Sequence, residues 1–278
     1  MSAEEQAQFL QRLAEDLNSK KVSLPSFPDV VIKIRTALED PTCSSGRLSE
    51  VAKLDPVLVS RLLMAANSAF HNRAGIEIVD LNLAISRLGF EVVRNTAITL
   101  AVEQIFNASQ HEALRDRLKE LWTRSMSLSS MCYVIARSNP SLNADHAFLC
   151  GLLHDVGKLY ILSQAKEYPN FLGDTESLNQ VLHDWHQSIG CSIVDAWGFD
   201  GEIAKSVDID ENLDTESSRD AALVDVVYAA IALLDNAEAA LSKEPPHPSL
   251  QRLKVTQESF PELSEAAEIH AQSMRHSI

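Results

Sequence analysis

The stretch Gly151-Leu152-Leu153-His154-Asp155-Val156-Gly157-Lys158-Leu159 sets an adjacent imidazole and carboxylate inside an otherwise apolar run. Its apolar spacing predicts one helix from Asn143 to Gln164 with the doublet on it. Two chemistries suit such a pair. Imidazole and carboxylate both ligate divalent transition metals, and helix neighbours can share an ion lying against the helix edge. Alternatively, His154 and Asp155 form a buried polar pair, hydrogen-bonded across helices and balanced by Lys158 within helical reach. His186, one turn beyond His183 and next to Trp185, is a third candidate ligand, at a spacing equally natural for a packed helix position.

Outward from this stretch the chain reads as a succession of helices. Phe9, Leu10, Leu13 and Leu17 form one amphipathic stripe, and Val30, Val31, Ile34 and Leu38 form a second behind the Pro-bracketed Leu24-Pro25-Ser26-Phe27-Pro28. Asp55-Pro56 reads as a cap and first helical position, leading to Leu58, Leu62, Ala65 and Ala69. Leu81, Ala84, Ile85 and Leu88 run to Gly89, which ends that helix before Val92 to Phe106. Later helices are expected over Leu118 to Ala136, Leu178 to Trp197, Ser218 to Ala240 and Leu263 to Met274. The acidic stretch Asp208 to Asp220 reads as a solvated loop, and Glu244-Pro245-Pro246-His247-Pro248 as a turn-rich linker. These segments divide into an N-terminal lobe (1–110), a second lobe (111–241) and a linker with a tail helix (242–278).

The 278 residues carry 24 Lys and Arg against 39 Asp and Glu, a formal charge of −15, so the averaged field repels nucleic acid and anionic membrane surfaces. The helices around Gly89 have helix-turn-helix spacing, but Arg87 and Arg94 alone are too few cations for a DNA reader on so acidic a chain. Cys43, Cys132, Cys150 and Cys191 lie far apart with no CxxC spacing, as expected of reduced, buried, structural thiols. MSAEEQAQFLQRL has acids where a signal peptide needs cations, and the longest apolar run, Val226 to Leu234, is too short for a membrane span. A cytoplasmic protein is expected.

Several segments together resemble the HDOD family, HD-related output domains of bacterial signalling proteins. They are Leu24 to Pro28, Asp55-Pro56, Arg61 to Ala69 (RLLMAANSA), Ala84 to Gly89 with Val93-Arg94-Asn95, Leu121-Trp122, Phe148 to Asp155, His186 with Gly190, and Ala196-Trp197-Gly198-Phe199. The resemblance runs from Leu24 to about Asp235. It implies an all-α, two-lobed fold whose C-terminal lobe is HD-like. HD enzymes hydrolyse phosphate esters using an upstream His, the doublet and a later Asp to hold metals.

The carry-over stops where catalysis needs ligands. Thr123-Arg124-Ser125 stands in place of the upstream His, and Leu121 to Ser138 contains no His, Asp or Glu. Ser206 to Asp210 replaces a His pair found in HD-GYP hydrolases. Between the flanking Asp225 and Asp235, Val226 to Leu234 offers only Tyr228 as a polar side chain. Arg124 also puts a fixed positive charge near where a metal would sit. No catalytic residue is therefore assigned, and a pseudoenzyme is expected, with His154 and Asp155 as vestigial or residual metal ligands. No cofactor is expected beyond a residual divalent ion. Arg61, Asn67, Ser68, Arg94, Arg124, Lys158 and His186 are candidates for a ligand or partner surface, although Asn67 and Ser68 also suit a helix terminus.

What the resemblance implies is a non-catalytic regulatory module working through signalling proteins on separate chains. A metal-dependent phosphohydrolase acting on a nucleotide or cyclic dinucleotide is the alternative. A third reading keeps the cleft as a sensor of a small anionic nucleotide, through Arg124 and Lys158.

Overall fold

Helix starts follow the capping chemistry of the loops. The Asp55 carboxylate accepts hydrogen bonds from the Val57 and Leu58 amides, and Pro56, which has no amide hydrogen to leave unpaired, takes the first helical position. Ser44, Asp80, Asn143 and Asp174 cap in the same manner. Gly89 ends its helix at φ 83°, in the left-handed region that a Cβ disfavours.

The computed structural model describes residues 3–18, 28–72, 74–107, 112–199, 201–209 and 220–276. Among them the elements are all helical: α1 (Ala3–Asn18), α2 (Asp29–Leu38), α3 (Ser45–Ala52), α4 (Pro56–Asn67), α5 (Leu81–Leu88), α6 (Phe90–Asn107), α7 (Glu112–Arg137), α8 (Ala144–Leu153), α9 (Val156–Ala165), α10 (Pro169–Gly173), α11 (Thr175–Ala196), α12 (Gly201–Val207), α13 (Leu223–Ser242), α14 (Pro248–Arg252) and α15 (Phe260–His276). The fold is all-α, as the sequence predicts. Leu24 to Phe27 and residues 210–219 of the acidic stretch lie outside the described residues. No helix among the described residues is long and apolar enough to cross a membrane.

The chain divides into two compact units, one of residues 1–26 and 106–261, the other of 27–105 and 262–278. In the first, α7 and α8 pack so closely that a Cβ on Gly151 would lie 2.6 Å from the Ser129 Cα. The helix α1 belongs here rather than with the residues that follow it, which differs from a lobe spanning 1–110. Its buried Phe9 ring lies 4.8 Å from Phe171 and 5.3 Å from Tyr168, Arg12 pairs with Glu167 at 2.6 Å, and the Tyr160 hydroxyl donates to Asp16 at 2.7 Å. The amphipathic stripe is local, whereas its aromatic partners lie far along the chain.

Residues after Ser242 also divide differently from the expected linker and tail. Asp225, fully buried on α13, accepts from Ser249 Oγ at 2.8 Å and Arg252 Nη2 at 2.5 Å, which ties α14 to α13. Most of α15 belongs to the second unit, where His270 meets Phe70 edge-on at 5.1 Å. On α6, Val93, Ala97, Ile98, Leu100, Ala101 and Val102 are buried together with Thr96 and Thr99. A helix covered on so many sides shows no single apolar stripe.

The four cysteines are unbridged, Cys132 and Cys150 buried, Cys43 and Cys191 partly so. Replacing Phe9 by Ala removes the ring that joins α1 to α10; a loss of about 3–5 kcal/mol is expected in denaturant unfolding.

Candidate functional site at a helix break

The single helix expected from Asn143 to Gln164 is two helices, α8 and α9, parted at the His-Asp doublet. Asp155 lies at φ −93°, ψ 10°, outside the helical basin, and its carbonyl accepts the first bonds of α9 from the Lys158 amide at 3.0 Å and the Leu159 amide at 3.3 Å. The apolar periodicity runs unbroken through the doublet, so it gave no sign of this turn. A Cβ on Gly157 would fall 1.9 Å from the His186 carbonyl oxygen and 2.8 Å from the Gly190 amide nitrogen. Only a residue without a side chain permits that approach. The crossing of α9 on α11 at Gly157 and Gly190 thus brings His186 to the doublet.

One ligand atom from each of His154, Asp155 and His186 lies within 4.8 Å of the others, and all three residues are buried. The two imidazoles meet edge-on, centroids 5.8 Å apart. His186 Nδ1 lies 3.0 Å from the His183 carbonyl oxygen; since a carbonyl only accepts, Nδ1 carries the proton and Nε2 keeps its lone pair. Lys158 Nζ stands 2.7 Å from Asp155 Oδ1, and Arg124 Nε 3.8 Å from Oδ2. Arg124 Nη1 is also 2.8 Å from Asp235 Oδ1, so the guanidinium bridges two carboxylates. His154 Nδ1 and both Asp155 oxygens lack a well-aligned hydrogen bond among the described residues, and Asp155 is held by charge.

Burial pushes the His154 pKa down to about 4, against the smaller upward pull of Asp155. His186 is lowered too, by burial and then by Lys158. Burial alone would raise the Asp155 pKa, but Lys158 and His154 bring it below the ordinary carboxylate value. Near neutral pH the cluster is thus two neutral imidazoles and one carboxylate with its own cations. An open groove of about 630 Å³ is lined by Asp116, Lys119, Glu120, Thr123, Arg124, Ser127 and Leu234.

Of the residues singled out in the sequence, His154, Asp155, Lys158, His186 and Arg124 converge. The others are held in the second unit. Arg61 forms a largely buried ion pair with Glu103, and Arg94 pairs with Glu91. Asn67 donates to the Leu63 and Ile78 carbonyls at 2.9 and 2.7 Å and accepts from the Ile78 amide at 2.8 Å. Ser68, the C-cap of α4, donates to the Ala65 carbonyl at 2.8 Å. Both therefore serve the helix terminus. Asp235 is the residue that motif spacing left unassigned; its position two turns after Tyr228 carries no local signal.

An all-helical domain with a His-Asp doublet at a helix break defines an HD-like protein. The family model described as HDOD domain matches residues 24–213, and the chain belongs to the HDOD family. Three solved structures share the fold. A "putative metal-dependent phosphohydrolase" from Shewanella amazonensis SB2B is 23% identical, with 99% of each chain covered and a TM-score of 0.76. An HDOD domain protein of unknown function from Geobacter sulfurreducens is 20% identical, covering 88% of this chain and 93% of that one, TM-score 0.63. A "putative signal transduction protein" from Marinobacter aquaeolei VT8 is 20% identical, covering 97% of this chain and 66% of that one, TM-score 0.64. No curated protein matches.

Two measurements check the geometry. Gly157→Ala forces α9 off the His186 carbonyl; a cost of about 1–3 kcal/mol is expected, with the His186 pKa, followed by NMR, moving back toward its ordinary value. The second is pH dependence. The folded pKa of His154 lies below the unfolded 6.5, so protonation opposes folding; its contribution is complete above pH 6.5 and is lost as pH falls toward 4. Unfolding free energy should drop by up to about 3 kcal/mol across that window, and His154→Asn should flatten the slope.

Proposed function

We propose that this chain is a regulatory output module of bacterial signalling that works through contacts with separate signalling proteins and does not hydrolyse phosphate esters. Membership of the HDOD family supports the regulatory half of this reading. The observation that carries the other half is the Asp155 carboxylate, buried and faced on one oxygen by Lys158 and on the other by Arg124. A hydrolytic ion needs several donors with open positions for water and substrate. Here three donors share their space with two cations, which oppose a dication at close range. We therefore propose no resident metal and no catalytic residue. Lys158 and Arg124 are likewise engaged with Asp155 and Asp235, which argues against an anionic nucleotide as their ligand.

The rival reading is a metal-dependent phosphohydrolase. What favours it is the same trio of buried donors, with Nε2 of His186 holding a lone pair.

The two readings part in one assay. Bis(p-nitrophenyl) phosphate and a panel of cyclic dinucleotides are incubated with the purified protein and Mn²⁺, Fe²⁺ or Zn²⁺. The expected result is no turnover above the metal-only blank, with wild type and His154→Ala indistinguishable. Saturable turnover that His154→Ala abolishes would sink the proposal.

A further inference from the structure

Among the described residues, the large hydrophobic side chains left exposed all belong to the second unit, and six of the eight lie between residues 54 and 83. Leu54 sits in the turn between α3 and α4, and Val57 and Met64 stand two turns apart on one face of α4. Ile76 and Val79 belong to the loop ahead of α5, and Leu83 to its first turn. Their exposure runs from 46% at Met64 to 77% at Val79. Single aliphatics scattered over a surface are ordinary, whereas a fixed cluster of them marks a contact. We infer that this face of the second unit pairs with the same face of a second copy of the chain.

The cluster is held together by its backbone. Helix α5 packs against both α3 and α4. Asn67 Nδ2 donates to the Leu63 carbonyl at 2.9 Å and to the Ile78 carbonyl at 2.7 Å, so the loop lies against α4 next to Met64. The Ile76 carbonyl accepts from Asn72 Nδ2 at 2.8 Å, and Asn72 Oδ1 accepts from Arg87 Nη1 at 2.7 Å, which ties the loop to α5 as well. Ile78, between the two most exposed side chains, is buried as the anchor. Ile76 and Val79 are therefore held out on a chain already fixed in place, and little ordering is left to oppose association.

Area and charge both favour a second copy as the occupant. Six aliphatic side chains at these exposures present on the order of 600 Å² of apolar surface, close to the roughly 800 Å² that each partner buries in a standard interface. Residues 45–88, from the start of α3 to the end of α5, hold five cations and four acids, although the whole chain carries −15. The negative excess lies elsewhere, so two acidic chains can meet here with little local repulsion. An apolar patch is complementary to itself, and a two-fold pairing of identical patches closes at two copies. The same −15 opposes an anionic bilayer as the cover of this face.

The test is the mass of the full chain in solution, by sedimentation velocity and light scattering over a wide range of concentrations, for wild type, Val57→Glu, Val79→Glu and Val79→Ser. Circular dichroism checks each fold. Val57 follows Pro56 at the start of α4, where an added acid favours the helix, and Val79 lies in an exposed loop, so neither charge disturbs the core. Wild type should approach twice 30.7 kDa as concentration rises. Each Glu variant should weaken the dimer at least tenfold, because its charge is withdrawn from water without a partner, and Val79→Ser should weaken it less. Added salt should tighten the dimer by screening the repulsion between two chains of like charge. A wild type that stays at 30.7 kDa at every concentration would overturn the inference, as would a dimer that both Glu variants leave unchanged or that salt dissolves. None of these results depends on turnover, so they stand or fall separately from the non-hydrolytic reading.

Discussion

The centre of the first unit is organised by one buried negative charge. Asp155 has no solvent access, and a carboxylate withdrawn from water without partners costs several kcal/mol. Two features around it follow from that constraint: Lys158 falls on the same face one turn along α9, and Arg124 reaches in from α7. The neighbouring imidazoles are lowered in pKa by their own burial, against the pull of the carboxylate. Removing either cation leaves the carboxylate short of charge. These contacts therefore fix where α7 and α9 lie around the doublet.

A second constraint sets how close the helices come. The α9–α11 crossing is a backbone contact, with Gly157 against the His186 carbonyl and the Gly190 amide, and Gly190 in turn against the Val207 side chain. His186 joins the cluster because its own backbone is the surface on which α9 rests. A larger residue at 157 would separate the imidazole from the doublet while leaving every site residue in the sequence unchanged. The positioning of the site therefore depends as much on two glycines as on the side chains that face it.

The fold and the site were legible in the sequence to different degrees, for physical reasons. Caps are local, so Asp55-Pro56 and Gly89 marked helix ends correctly. The break at Asp155 was hidden because the apolar residues of α8 and α9 continue the same pattern on both sides of it. Partners distant in the chain were hidden as well: nothing near Phe9 points to Tyr168 and Phe171, nor anything near Asp225 to Arg252. Within the site, Lys158 could be paired with the doublet by helical reach. His186 appeared as a spacing shared by many packed helices and, with Gly190, as a segment of the family resemblance, and Asp235 was one of two acids flanking an apolar run. The tertiary structure separates those two acids, since Asp225 is engaged with Ser249 and Arg252 while Asp235 meets Arg124.

Arg124 and a metal ion would solve the same electrostatic problem with different dependences on the surroundings. A bound ion stabilises the folded state in proportion to the logarithm of its free concentration over its dissociation constant, so a fold that leans on it weakens when the ion is scarce. A guanidinium on the chain is present at every ion concentration and does not titrate near neutral pH. It also supplies one positive charge where a divalent ion supplies two, so it balances the Asp155–Asp235 pair jointly with Lys158 without leaving excess charge to polarise water. A hydrolase needs the excess, because the uncompensated charge of its metal is what activates water.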